Sequence, residues 1–124
     1  PVYFDMGKVK VKRRYLNLNL YRNMPFHLNN NIKKLMKEYI KTLNLDFKVE
    51  AGEISYILYL PDKLKRDVSN VCSIIDKYVC DALVELGMLP EDNYEHVYGV
   101  HYLFGGIDRE NPRCEVIIHE QGSV

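Results

Sequence analysis

Carboxylates, an amide and a lysine gather around one segment of the sequence, residues 61–93. Asp67 and Asn70 stand at the start of a predicted helix, Lys77 lies within it, and Asp92 follows it. Hard cations such as Mg²⁺ bind carboxylate oxygens and keep several waters, so two such ligands and a substrate phosphate suffice to hold one. A nearby lysine can neutralise charge that develops on phosphate oxygens. These residue types predict a site for a divalent cation and a phosphate.

The predicted helix is amphipathic. Apolar residues recur at helical spacing between positions 69 and 86 and predict a stripe that faces the core, made of Val71, Ile74, Ile75, Tyr78, Val79, Ala82, Leu83 and Leu86. A polar line runs beside this stripe and consists of Asn70, Ser73, Lys77 and Asp81. Its ordinary explanation is a solvated face on which Lys77 and Asp81 form an i,i+4 ion pair. The alternative is that Lys77 belongs to the site for the cation and phosphate.

Two stretches of this segment resemble the RusA family of Holliday junction resolvases. PDKLKRDVSN, residues 61–70, is similar to the basic run, Asp and Asn that open that family's active site. DKYVCDALVELG and the EDN after it are similar to the family's Lys, Asp-Ala-Leu, Gly and acidic pair. Compared with the best-known member, about one extra helical turn separates the two stretches. The later GVHYLFGGIDRENPRCEVII resembles the closing hairpin of phage-borne members, whereas the first half of the chain is similar only in outline.

The resemblance implies a Mg²⁺-dependent, homodimeric endonuclease that cuts four-way DNA junctions in recombination and repair, with Mn²⁺ as an alternative metal. By position, Asp67 matches the family's first catalytic Asp, Asp92 its last and Lys77 its lysine. The chain departs from the family at Ser69, where a second Asp is usual, and a hydroxyl is a weaker metal ligand than a carboxylate. Asp76 and Asp81 are the two candidates to replace that ligand.

A second interpretation belongs to another class of protein. If Ser69 marks a degenerate metal site, the chain is a non-enzymatic DNA-binding accessory of phage recombination or replication, and its basic N-terminal half carries the function. A third interpretation is a structural or interaction protein that keeps only the fold. Metal binding at Asp67 and Asp92 separates the first two interpretations, and salt-dependent DNA binding separates both from the third.

The distribution of charge agrees with a polyanionic partner, although the net charge is zero. Residues 1–66 contain 14 Lys and Arg against 6 Asp and Glu, whereas residues 67–124 contain 3 against 11. A metal nuclease needs basic residues to attract the DNA backbone and carboxylates to hold the cation. The plainer explanation is that the two halves neutralise each other across the fold. The candidate DNA-binding residues are Lys8, Lys10, Lys12, Arg13, Arg14, Arg22, Lys63, Lys65, Arg66 and Asn70.

The other elements complete an α+β pattern. Residues 8–20 alternate and predict one long strand, and a helix capped by Asn29 or Asn30 follows to about position 42. The core stripe predicted for that helix is Ile32, Leu35, Met36, Tyr39, Ile40 and Leu43. Residues 54–60 predict a central strand, and residues 94–104 and 113–119 predict two strands of a hairpin. We therefore predict a mixed β-sheet with two helices packed on one face, as the RusA resemblance also implies.

Composition sets further bounds. The 124 residues, 47% hydrophobic and 27% charged, predict a single domain over residues 1–124. Three scattered cysteines, Cys72, Cys80 and Cys114, predict buried thiols in a reducing compartment. Phosphate-binding glycine loops and serine-nucleophile motifs are absent, and the four histidines lack metalloprotease spacing. With no apolar run long enough for a membrane span and no signal-peptide pattern, we expect a cytoplasmic protein, in the host cytoplasm if phage-encoded.

Overall fold

The computed structural model describes residues 2–5, 10–11, 14–15, 26–63, 65 and 67–120. Its elements, in chain order, are β1 (Val2–Asp5), β2 (Lys10–Val11), β3 (Arg14–Tyr15), α1 (Phe26–Thr42), β4 (Gly52–Leu60), α2 (Val68–Glu85), β5 (Val97–Ile107) and β6 (Arg113–Glu120). Four strands form one sheet in the order β1-β6-β4-β5. β4 pairs parallel with β5 and antiparallel with β6, so the sheet is mixed and the predicted α+β fold is confirmed.

Both helices cover the same face of this sheet. Alternate residues of a strand point to opposite faces, and the core takes one set from β4 and one from β6, namely Ile54, Tyr56, Leu58, Leu60, Cys114, Val116 and Ile118. α2 packs on β4 and β5, and α1 packs on α2. Ile40 of α1 and Ile74, Val79 and Leu83 of α2 are among the most deeply buried side chains. The core therefore lies between the helices and one side of the sheet.

α2 follows its sequence pattern closely. Asp67 is its N-cap, in an extended backbone conformation, and the helix ends at Glu85. Gly87 then adopts a positive φ of 75°, which is the backbone conformation that favours glycine after a helix. Of the predicted stripe, the six residues between positions 74 and 83 are buried, while Val71 and Leu86 pack at its margin. The predicted helix and its core-facing stripe are confirmed.

The hairpin predicted for β5 and β6 is wrong, because β4 lies between these two strands. The segment after β5 crosses the end of β4, where the backbone N–H of Asp108 donates to the carbonyl oxygen of Leu60 at 2.8 Å. β4 is largely apolar and mostly buried, which suits a central strand that pairs along both of its edges. The turn residues between β5 and β6 show where the chain reverses, but they do not determine which strand lies alongside.

The N-terminal predictions also need correction. Residues 8–20 are not one long strand, since β2 and β3 pair antiparallel with Lys10 opposite Tyr15 and Val11 opposite Arg14. The remaining residues of that stretch lie outside the described part of the chain. β1 was not predicted, and it pairs with β6 at the edge of the main sheet.

α1 begins at Phe26, before the predicted caps Asn29 and Asn30. Its predicted core stripe is too broad, because Leu35 is 69% exposed and Tyr39 38% exposed. α1 packs against α2 along the narrower row Ile32, Met36 and Ile40, which are spaced four residues apart. Leu43 packs at the margin of the core.

Candidate metal centre

Asp76, at the middle of α2, is held by donors from three elements of the fold. Its Oδ1 accepts a hydrogen bond from the Tyr56 hydroxyl at 2.6 Å and one from the Cys80 thiol at 3.2 Å. Its Oδ2 accepts a hydrogen bond from the Tyr102 hydroxyl at 3.0 Å. Tyr56 belongs to β4, Tyr102 to β5, and Cys80 lies one helical turn beyond Asp76. The carboxylate is thus fixed against the sheet from both of its oxygens.

The two tyrosines form a rigid base beneath this carboxylate. Tyr56 and Tyr102 are register partners on the parallel strands β4 and β5, and their ring centroids are 5.9 Å apart. Tyr56 is fully buried, whereas Tyr102 is partly buried. Burial raises the pKa of both phenols well above the ordinary value, and the neighbouring Cys80 and Asp76 add to this rise. Both hydroxyls therefore keep their protons and act as hydrogen-bond donors to Asp76.

A second carboxylate, Asp92, hydrogen-bonds with the same Cys80 thiol as Asp76. Partial desolvation raises the pKa of Asp92, and the charge of Asp76 is the next cause, with a smaller contribution from Asp81. A hydrogen bond with Cys80 and the charge of Lys77 oppose this rise in the pKa. A divalent cation would stabilise the charged form of Asp92, which the neighbouring Asp76 disfavours.

The remaining acidic and basic residues of α2 have different surroundings. Lys77 is exposed and close enough to Asp92 for its charge to lower the pKa of that carboxyl. Asp81 pairs with Lys33 of α1, with Oδ2 and Nζ 3.7 Å apart. Asp81 is therefore directed partly toward α1, although its charge still acts on Asp92. Asp76 and Asp81 are the two candidates to replace the second Asp that the RusA resemblance implies. Of these two, Asp76 has the larger electrostatic effect on Asp92.

Asp67 lies at the N-terminal end of α2, away from Asp76 and Asp92. Its Oδ1 accepts hydrogen bonds from the Ser69 backbone N–H at 3.1 Å and from the Ser69 hydroxyl at 2.8 Å. These contacts, with one from the backbone of Asn70, lower the pKa of Asp67. Nine residues separate Asp67 from Asp76, which is about 13.5 Å along a helix axis. The structure does not bring Asp67 and Asp76 within reach of one cation.

Asp76 and Asp92 supply the donors that a hard cation prefers. Mg²⁺ and Mn²⁺ bind through one or two carboxylates and complete their coordination with water and substrate phosphate oxygens, so this donor set fits them. The Cys80 thiol contributes no ligand, because burial raises its pKa and only a thiolate binds metal well. Across the described residues, no group of three or more His, Cys, Asp and Glu side chains could hold a metal. The fit therefore depends on two carboxylates, with water completing the coordination until a substrate phosphate binds.

The predicted DNA-binding residues are only partly described. Lys63 and Lys65 are exposed between β4 and α2, and Asn70 is partly buried in the first turn of α2. Lys10 and Arg14 stand on the paired strands β2 and β3. Lys8, Lys12, Arg13, Arg22 and Arg66 lie outside the described residues. The basic surface stays a prediction.

Sequence reasoning missed the tyrosines and the thiol that hold Asp76. A tyrosine in the middle of a predicted central strand is a usable signal, because a buried hydroxyl requires a partner. Tyr56 is such a residue, but the partner lies 20 positions away in the sequence. Cys80 has a more local signal, since it lies at i+4 from Asp76 and therefore on the same side of the helix.

The fold and site together define an α+β protein with a pair of acidic residues beside a lysine. No protein-family model matches the chain, and no curated protein matches it either. Among the helices that the structure describes, none is long and apolar enough to cross a membrane.

Proposed function

We propose that the protein is a divalent-cation-dependent endonuclease that cuts branched DNA, in particular four-way junctions. The observation that carries the proposal is that Asp76 and Asp92 approach the same Cys80 thiol, which donates to Asp76 Oδ1 at 3.2 Å. Two neighbouring carboxylates, oriented by hydrogen bonds from other side chains, can hold Mg²⁺ or Mn²⁺ together with phosphate oxygens.

Each residue of the site has a role in this proposal. Asp76 and Asp92 would hold the cation, and the exposed Lys77 beside them would neutralise charge on the phosphate oxygens of the scissile group. When bound, the cation would polarise the phosphate and lower the pKa of a coordinated water. Hydrolysis would add water across one P–O bond and leave one phosphate-bearing and one hydroxyl-bearing DNA end.

Asp67 is assigned to the helix cap and not to the same cation. Its carboxylate accepts two hydrogen bonds from Ser69, and about two and a half helical turns separate it from Asp76. Ser69, at which the sequence departs from the RusA pattern, acts here as a donor to that cap. The resemblance implies catalysis by Asp67, whereas the interaction between Asp76 and Asp92, and the length of helix between Asp67 and Asp76, favour Asp76.

DNA as the substrate is supported by the charge distribution and by the resemblance. Exposed Lys63 and Lys65 precede α2, and the N-terminal half of the sequence carries an excess of Lys and Arg. Such residues bind the phosphate backbone without reading its sequence. A homodimer is proposed because two symmetric cuts in a four-way junction suit a two-fold assembly. The proposed place of action is the cytoplasm.

Cleavage of a labelled four-way junction in Mg²⁺ or Mn²⁺ tests this function. We expect paired symmetric nicks from the wild type and a loss of at least about 100-fold for Asp92→Asn, because removal of one carboxylate weakens the cation site. Asp67→Asn should keep its activity, since asparagine is also a good N-cap. A linear duplex of the same sequence is the control for junction selectivity.

Three outcomes would change the proposal. If Asp67→Asn is as inactive as Asp92→Asn, Asp67 belongs to the catalytic site as the resemblance implies. If the linear duplex is cut as fast as the junction, the substrate is duplex DNA in general. Tight junction binding without cleavage in either metal would identify the non-enzymatic DNA-binding accessory.

A further inference from the structure

The stability of the fold does not by itself require the placement of Tyr56 and Tyr102. Both are in the sheet face beneath α2, and both direct their hydroxyls to the same carboxylate, one to each oxygen of Asp76. A buried tyrosine needs one acceptor for its hydroxyl, and a backbone carbonyl would suffice. Convergence of two hydroxyls on one acidic side chain fixes the plane and the rotation of that side chain.

We infer that Tyr56 and Tyr102 are positioning residues that hold the Asp76 carboxylate ready for a divalent cation. The inference rests on the proposed function, since it assigns a task to the residues behind the proposed metal ligand. Carboxylates that bind metals are commonly oriented by hydrogen bonds from residues that do not touch the metal. Neither tyrosine acts as a ligand in this account.

The hydrogen bonds also distinguish the two oxygens of Asp76. Each carboxylate oxygen offers two lone pairs. Oδ1 already accepts from Tyr56 and Cys80, whereas the donor that reaches Oδ2 from the described residues is Tyr102. Oδ2 therefore keeps a lone pair for the cation, and Tyr102 holds the oxygen that would bind it.

The sheet makes this positioning rigid. Tyr56 and Tyr102 are opposite each other in the β4–β5 register, so the spacing of two hydrogen-bonded strands sets the distance between the backbone positions that carry their rings. Tyr56 is fully buried and has no room to change rotamer without moving its neighbours. A carboxylate on α2 held from two adjacent strands loses its rotational freedom before a cation binds, which favours binding.

Mn²⁺ affinity, measured by titration calorimetry on the whole chain without DNA, tests the inference. Tyr56→Phe and Tyr102→Phe remove one hydroxyl each and keep the ring. We expect each to weaken Mn²⁺ binding about 10-fold to 100-fold, as is typical when a residue behind a metal ligand is changed. The matched control is Tyr78→Phe. Tyr78 is a buried tyrosine of α2 whose hydroxyl donates to the side-chain amide oxygen of Asn29 at 2.7 Å.

The outcomes separate the inference from the function on which it rests. Wild-type binding that is lost in Asp76→Asn, weakened in the two Tyr→Phe variants and unchanged in Tyr78→Phe supports both. Wild-type affinity in Tyr56→Phe and Tyr102→Phe, with loss only in Asp76→Asn, overturns the positioning role and leaves the metal site in place. Equal weakening by Tyr78→Phe would mean a general loss of rigidity and would overturn the role as well. If the wild type binds no Mn²⁺, the proposed metal centre itself fails, and the positioning role fails with it.

Discussion

Two polar clusters lie on opposite faces of the sheet, and the electrostatic environments of their carboxylates are opposite. On the face away from the helices, the Arg113 guanidinium donates from Nε to Glu115 Oε2 and from Nη1 to Asp108 Oδ2, each at 2.8 Å. It also lies 4.0 Å from the centre of the Tyr59 ring. In the Arg113 cluster, both carboxylates therefore pair directly with the positively charged guanidinium.

The Asp76 cluster on the helix face has no such direct pairing. Within the described part of the chain, the hydrogen-bond donors to Asp76 are two phenols and a thiol, all of them neutral. The contrast is visible in the pKa values. Hydrogen bonds from the Asn111 backbone N–H and then from Arg113 lower the pKa of Asp108, whereas partial burial and then the charge of Asp76 raise the pKa of Asp92. Donors and a nearby guanidinium favour a charged carboxylate, whereas a neighbouring carboxylate disfavours it.

The largest effect on stability that we predict from this comparison follows from Arg113→Met. The change leaves Glu115, which is nearly buried, and Asp108 without their shared cation, and it releases the segment that crosses the end of β4. We expect the Tm to fall by on the order of 5 °C in a thermal unfolding scan. Mn²⁺ affinity should stay unchanged in the folded variant, because the proposed metal site lies on the other face.

Arg109→Met is the matched control, since Arg109 is an exposed arginine of the same connecting segment. It removes the same charge, and we expect little change in the Tm. A Tm for Arg113→Met equal to that of Arg109→Met would show that the Arg113 cluster does not stabilise the fold.

A smaller pair of effects of opposite sign is expected from Asp92→Asn and Asp108→Asn. The folded-state pKa of Asp92 is raised, so its ionisation costs stability, and Asp92→Asn should be more stable than the wild type at neutral pH without metal. This advantage should shrink as the pH falls through the raised pKa and vanish below the unfolded value of 3.8. The folded-state pKa of Asp108 is lowered, so Asp108→Asn should be less stable at neutral pH, and this deficit should vanish as the pH falls through the lowered pKa.

Urea unfolding at several pH values between about 3 and 7 measures both effects. Asp46→Asn, at an exposed position outside both clusters, is the control. Destabilisation by Asp92→Asn at neutral pH would contradict the unfavourable interaction between Asp92 and Asp76.

The sequence was most informative where structure is local. The 3.6-residue period of α2 predicts its extent and its buried stripe, and Asp67 and Gly87 mark its ends. Pairing of β4 with both β5 and β6 could not be predicted in this way, because hydrogen bonds between strands carry no local signal. The same is true of α1, where helical spacing alone did not show that Leu35 points to solvent.

The same distinction between local and long-range signals applies to the candidate site. The partner of Asp67 is two residues away, and a motif of that length is easily noticed. The tyrosines that hold Asp76 are 20 and 26 residues away, on two strands that are adjacent only in the folded sheet. Asp76 could therefore be named as a candidate from the sequence, but its environment could not.

The position of the metal is the central claim, and paramagnetic broadening by Mn²⁺ in amide NMR spectra tests it most directly. At low Mn²⁺ concentration we expect the signals of Asp76, Lys77, Cys80, Asp92 and Tyr102 to broaden first, and those of Ser69 and Asn70 to persist. Asp92→Asn should remove this selective broadening. Broadening that begins at Ser69 and Asn70 and survives Asp92→Asn would place the cation at Asp67 and contradict the assignment to Asp76 and Asp92.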